Sequence, residues 1–367
     1  MANVTIRELV DFLNNWAPFA YQEPYDNSGL ITGDPRQTVT GVLVSLDCTE
    51  AVVEEAVRKG CNVVVAHHPI LFRPLKSLTG KNYVERTLIS AIRQQVSIVA
   101  VHTNLDNIHT GVNRRIADRL GLTNVSVLSP ARGHLAKLVT FVPESHQADV
   151  RDSLSKAGAG KIGTYDACSF SVEGTGRFRP GEGAQPWIGS KGKLEETPEI
   201  RLEVIFPKHL EPKIIQALDS SHPYEEPAYF ITLLNNEHPE VGAGMVGDLP
   251  DTVPMLDFLR SLKDRMSTPA IRHSHITTPE VRRVAVCGGA GSFLVEAAVR
   301  SGAQVFVSSD FKYHEFFDAD GRIVIADIGH YESEQFTKEL IREVLVEKFT
   351  TFASLFSETA TNPISYL

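Results

Sequence analysis

Five residues stand out by type and placement: His67, His68, Asp106, His330 and Glu334. Three imidazoles and two carboxylates, with no thiolate, suit a borderline divalent cation such as Zn, Fe, Mn, Co or Ni. Five ligands exceed the needs of one open catalytic ion. They suit two ions about 3.5–4 Å apart that share a bridging carboxylate. His67 and His68 are adjacent, so on a regular strand they point apart and can serve one ion each. His330 and Glu334 are four residues apart and share a helix face. His102, Asp310 and His314 also fall near strand ends. They are candidates for orienting the ligands or for handling a proton near bound water.

Two further segments carry polar chemistry. Gly288-Gly289-Ala290-Gly291-Ser292 lacks both the GxGxxG spacing and the lysine of a phosphate loop, so it reads as a tight strand-to-helix turn. His222-Pro223-Tyr224-Glu225-Glu226-Pro227 has metal-capable side chains, but its two prolines make it a rigid turn entering a strand.

The elements that must position these residues are legible in the apolar pattern. Thr5 and Glu8 form a capping box that opens a helix to about Trp16. Residues 41–45 (GVLVS), 62–66 (NVVVA) and 97–101 (SIVAV) are continuous apolar strands, separated by helices after Thr49 and near residues 83–94. A further helix covers 113–120. Such runs indicate parallel strands buried on both faces. In that architecture ligands bind beyond the carboxyl ends of the strands. The second strand runs into His67-His68, the third into His102 and Asp106, and a later one at 322–326 (RIVIA) into His330.

Residues 42–69 align without gaps to 284–311, with ten identities in 28 positions; Asp310 is the counterpart of His68. Between these repeats lies a different order. Strands are expected at 138–142, 167–172, 200–206 and 228–234, with helices at 145–157 and 209–220. That is the β-α-β-β-α-β, ferredoxin-like arrangement. A Gly/Pro-rich stretch at 173–193 is expected to be a long loop between its middle strands. The fold class is therefore α/β: two related α/β halves packed as one unit, interrupted by a ferredoxin-like (α+β) insert. The divisions are 1–130, the insert at 131–235, and 236–367, with the outer two forming one discontinuous metal-binding domain.

The 367 residues are enough for more than one core. The net charge of −9 gives no general pull toward nucleic acid or an anionic membrane. No apolar run is long enough to span a bilayer, and the N-terminus lacks the parts of a signal peptide. Cys48, Cys61, Cys168 and Cys287 have no CxxC spacing. A cytoplasmic protein with free thiols is expected.

AHHPI at 66–70, HTNLD at 102–106 and GHYESE at 329–334 resemble the GTP cyclohydrolase I type 2 homologue family, the dinuclear-metal-centre proteins related to NGG-interacting factor three. The resemblance extends over nearly the whole chain. YDACSFSVEGTGRFRP at 165–180 and HPYEEPAY at 222–229 resemble the CutA/PII-like insert of its longer bacterial members. The resemblance implies two divalent ions per subunit. Glu334 would bridge them, His67 and Asp106 would share one, and His68 and His330 the other. It also implies a homohexamer, a trimer of dimers.

Three functions follow as expectations. The first is a metal-dependent hydrolase, with GTP ring opening suggested by the family name. The second is a metal (iron) insertase or chaperone. The third is a regulatory module whose insert binds a small-molecule or nucleotide ligand. No membrane or nucleic-acid partner is expected.

Overall fold

The computed structural model describes residues 4–367, which fall into two compact units: residues 4–130 with 240–367, and residues 131–239. The fold is mixed α/β with three sheets.

The first unit begins with α1 (Ile6–Trp16), whose N-terminus is closed by the expected box: Glu8 N donates to Thr5 Oγ1 and Thr5 N to Glu8. Then come β1 (Gly29–Thr32), β2 (Gly41–Ser45), α2 (Glu50–Arg58), β3 (Val63–Ala66), α3 (Tyr83–Arg93), β4 (Ser97–Ala100), the short α4 (Thr103–Asp106), α5 (Val112–Leu120) and β5 (Thr123–Arg132). Thr49 caps α2 and Asn82 caps α3 by accepting the backbone N–H three residues on. Strands β2, β3 and β4 are parallel and fully buried, as continuous β-branched runs require.

The 131–239 unit holds β6 (Leu135–Val142), α6 (Gln147–Lys156), β7 (Phe170–Phe178), β8 (Glu195–Pro207), α7 (Glu211–Ser221) and β9 (Tyr229–Leu234). Its sheet order is β7-β8-β6-β9, all antiparallel. One face packs Leu138, Val142, Leu202 and Phe206 against Val150, Leu154, Ile214 and Leu218 of the two helices. The stretch expected as a long loop is shorter than its Gly and Pro content suggested. β7 runs on to Phe178 and β8 starts at Glu195, pairing along nine residues. Glycines at 174 and 176 are tolerated there because the hairpin ladder supplies the backbone partners that side-chain packing would otherwise have to secure.

The chain returns through β10 (Glu237–Pro254), α8 (Met255–Arg265), β11 (Arg272–His273), β12 (Glu280–Ala290), α9 (Val295–Arg300), β13 (Val305–Ser309), β14 (Val324–Asp327), α10 (His330–Glu334), α11 (Thr337–Lys348) and β15 (Ala353–Phe356). Strands β12, β13 and β14 form a parallel set in the same spatial order as β2, β3 and β4. Antiparallel β1 edges β4, and antiparallel β11 edges β14.

Each half lends a strand to the other. The sheet order β1-β4-β3-β2-β15 ends in the last strand of the chain, and β11-β14-β13-β12-β10-β5 ends in a strand from the first half. Two apolar cores result, one around Leu43, Val64 and Ile98 and one around Ala285, Phe306 and Ile325. Removing such a fully buried side chain to Ala costs about 2–5 kcal/mol. After β15 the chain is tied down by Glu55. This buried carboxylate accepts from Ser357 Oγ, Glu358 N and Thr359 Oγ1 at 2.7, 2.8 and 2.7 Å.

Candidate metal centre

The ends of β3 and of the segment after β4 meet α10 within the first unit. His67 and His68 continue the β3 ladder, donating backbone N–H to Ser45 O and Leu46 O. Their rings lie 4.9 Å apart between centroids and tilted by 48°, so they do not point to opposite faces as on a regular strand. The strand has ended, and the alternation of faces ends with it. α10 presents His330 and Glu334 one turn apart.

Glu334 is the centre of the arrangement. Its Oε2 lies 2.9 Å from His68 Nε2 and 3.1 Å from His330 Nε2. Its Oε1 lies 3.8 Å from His67 Nε2, which is 3.6 Å from Asp106 Oδ1. The carboxylate is thus shared between two donor sets: His68, His330 and Glu334, and His67, Asp106 and Glu334. His67 Nε2 and Asp106 Oδ1 are buried and have no hydrogen-bond partner. Burying two such groups unpaired is costly, and a cation between them satisfies both. The residues therefore fit a bound metal.

Each imidazole is turned by its other nitrogen. His67 Nδ1 donates to Val101 O at 2.8 Å, His68 Nδ1 pairs with Asp47 at 2.8 Å, and His330 Nδ1 with Asp310 at 2.7 Å. That leaves Nε2 of all three as the ligand nitrogen, the arrangement that fixes tautomer and orientation in metal sites. His102 Nδ1 pairs with Asp26 at 2.8 Å, and its ring sits 5.2 and 5.4 Å from those of His67 and His68. Asp26 is fixed in turn by the N–H groups of Asn27 and Thr103 and by the Thr103 hydroxyl.

Glycine makes the approach possible. Gly289 has φ +64°, and a Cβ there would stand 2.5 Å from Glu334 Oε1. Its N–H donates to Ser333 Oγ, and Gly288 N–H donates to Asn113 Oδ1. Asn113 Nδ2 donates to Asp106 O, so one amide ties the strand under Glu334 to the short helix α4 that carries Asp106.

The electrostatics without ions match a cation site. Burial drives the His67 pKa down to about 4, against the pull of Glu334. Burial also opposes the charge on His68 and His330. Asp47 and Glu334 nevertheless raise His68 to about 9, and Glu334 and Asp310 raise His330 to about 11. Burial and the neighbouring Glu334 push Asp106 well above the usual carboxylate range. Glu334 resists burial because three imidazoles hold it far below that range.

The cluster opens into a cavity of about 690 Å³. Tyr25, Phe72, Tyr83, Phe293, Tyr331 and Ile364 are among its lining residues, and no Arg or Lys is.

All five proposed ligands meet in these donor sets, with His102 beside them and Asp310 behind His330. His314 does not join them. It sits in a short helical turn and packs between Tyr313 and Phe317, with ring centroids 5.1 and 6.4 Å away. The Gly288–Ser292 segment is a continuation of β12 through Ala290 that serves as the floor under Glu334, more than a simple turn. Asp26, Asp47 and Asn113 were not singled out from sequence. Asp47 lies two residues past the end of β2, so the strand-end rule that pointed to the histidines would have reached it. Nothing in the local sequence marks Asp26 or Asn113.

The fold and site define an α/β protein with a histidine–carboxylate cluster able to hold metal. Residues 4–363 match the Duf34/NIF3 (NGG1p interacting factor 3) family, and the chain belongs to it. It is 37% identical over 365 residues to the GTP cyclohydrolase 1 type 2 homolog of Halalkalibacterium halodurans, covering 98% of each chain. It is 35% identical to the protein of that name from Bacillus subtilis, covering 100% of this chain and 99% of the relative. Among solved structures, the Bacillus cereus protein related to NIF3 superposes with a TM-score of 0.87 at 35% identity over the full length of both chains.

Proposed function

We propose that this chain is a hydrolase built on two divalent ions, acting on a carbon–nitrogen bond of a flat substrate that carries little negative charge. The observation that carries the reading is the division of Glu334: one oxygen faces His68 and His330, the other faces His67 and Asp106. Zn, Fe, Mn, Co or Ni, when bound there, supply Lewis acidity and an acidified water. His67, His68 and His330 hold their Nε2 atoms in place through Val101 O, Asp47 and Asp310. His102, turned by its Nδ1 pair with Asp26 and standing beside His67 and His68, would carry a proton to the leaving nitrogen.

The relatives' name points to GTP, with water attacking C8 of the purine. A cavity with no Arg or Lys offers no side-chain cation to a triphosphate, which such sites ordinarily require. The ring fits this reading better than the phosphates do. Assay of metal-loaded protein on guanosine, GMP and GTP, and on neutral cyclic amides, tests it. Turnover of the uncharged members above GTP, lost in His102→Ala, supports the proposal. No turnover of any of them by the fully loaded protein contradicts it.

A metal-handling role has one observation in its favour. The His330 side chain is 35% exposed while His67 is fully buried, so one donor set is open to exchange. Competition with a chelator tests this: one ion leaving much faster than the other supports it, and equal release counts against it. From the resemblance we further propose a CutA/PII-like identity for the 131–239 unit, a homohexamer and a cytoplasmic setting. The four cysteines are free, and no helix among the described residues is long and apolar enough to cross a membrane. Light scattering of the purified protein tests the hexamer.

A further inference from the structure

The sheet of residues 131–239 carries a second cavity, of about 520 Å³, that the hydrolase reading does not use. It lies on the face away from the helices. Even-numbered positions Leu202, Val204 and Phe206 of β8 fill the core, so Thr197, Glu199 and Arg201 face the other way. Gly174 and Gly176 of β7 stand opposite Glu199 and Thr197. Gly176 leaves room for this carboxylate: a Cβ there would lie 2.1 Å from Glu199 Oε2.

Glu199 is only 8% exposed, yet it has no basic partner among the ion pairs of the unit. Tyr224 donates its hydroxyl to Oε1 at 2.7 Å. The ring of Tyr224 stands 6.0 Å from both Phe178 and Trp187. Glu225 and Glu226, from the turn with two prolines, line the same space. No lysine lines it. Of its three guanidiniums, Arg177 pairs with Glu196 and Arg201 with Glu203; the third is Arg179, and four carboxylates, Glu173, Glu199, Glu225 and Glu226, line the same space. An acidic floor under three aromatic rings is complementary to a positive charge, since a cation gains both from the carboxylate and from ring faces.

We propose that this cavity binds a small organic cation, an amine, guanidinium or quaternary ammonium, with its charged head at Glu199 and its body among Trp187, Tyr224 and Phe178. An anionic ligand would have to place its charge beside Glu199, Glu225 and Glu226, which the arrangement opposes.

The test uses the full chain and three probes: putrescine, agmatine and tetramethylammonium, with GMP as an anionic comparison. Binding is read by calorimetry and by tryptophan fluorescence. At least one cation binds saturably below about 10 mM, and Glu199→Gln weakens it by about tenfold or more. Trp187→Ala, at a residue 49% exposed and outside the core, weakens it as well and keeps the test valid if E199Q fails to fold. The metal content of both variants stays unchanged. Saturable binding of none of the cations, binding undiminished in the variants, or binding of GMP alone overturns the proposal.

Discussion

Glu334 turns one oxygen toward His68 and His330 and the other toward His67, and its neighbours hold that division. Gly289 has no side chain so that Oε1 can lie against it, and Ser333 ties the helix turn to the strand beneath. A group that bridges two ions cannot be replaced without loss at both. Glu334→Gln should therefore lose both ions together, whereas Asp106→Asn should lose the one it shares with His67 first. The residues behind the histidines act through orientation. Asp47→Asn or Asp310→Asn should lower metal affinity about 10–100-fold with the fold intact, read by titration with a competing chelator. Unchanged affinity in both would separate these carboxylates from the site. The five candidate ligands were legible because each follows a recognisable strand or shares a helix turn, and the structure brings them together. Asp26 and Asn113 were not, because their roles are set by contacts 76 and 175 residues away in sequence, at His102 and Gly288.

Among the elements, the C-terminal strand and the tail after it depend on one buried acid. Burial works against a charged Glu55, but Glu358 N–H, Lys59 and the Thr359 and Ser357 hydroxyls outweigh it and hold its pKa well below the ordinary carboxylate value. Its contribution is therefore complete above about pH 4.3 and is lost as pH falls toward the depressed folded value. Glu55→Gln should cost about 1–3 kcal/mol at neutral pH and shrink the acid-side fall in stability, as measured by denaturant unfolding across pH. Hydrogen exchange should rise first at residues 357–364. An unaltered pH profile would remove Glu55 from this role. The parallel strands β2, β3 and β4 followed from continuous β-branched runs. β5, β10 and β15 did not: β5 and β15 pair with strands of the other half, β10 lies between β12 of its own half and β5, and their half-exposed patterns carry no strong period. The Gly/Pro-rich 173–193 stretch misled for the opposite reason, since composition argues for a loop while the hairpin register with Glu195–Glu203 extends the ladder into it.

At the scale of the whole molecule, the two similar halves exchange edge strands, and the histidine–carboxylate cluster draws residues from both. Histidines 67 and 68 and Asp106 come from before the 131–239 unit, and His330 and Glu334 from after it. Truncation after residue 350 removes β15 and should expose the β2 edge, so aggregation together with loss of metal is expected by light scattering and elemental analysis. A stable truncated chain with full metal content would contradict the view that the halves stand or fall together. The negative charge of the chain fits the same picture, because the wide cavity over the cluster has no Arg or Lys in its lining. A heavily anionic ligand would find no Arg or Lys side chain there.

The account rests on a carboxylate shared between two ions, and elemental analysis tests it most directly. The protein is purified without added metal, loaded in turn with Zn, Mn and Fe(II), and dialysed, beside Glu334→Gln treated in parallel. About two equivalents per chain in the native protein, with near-complete loss of both in the variant, is the predicted result. One equivalent in the native protein, or undiminished content in the variant, would contradict it.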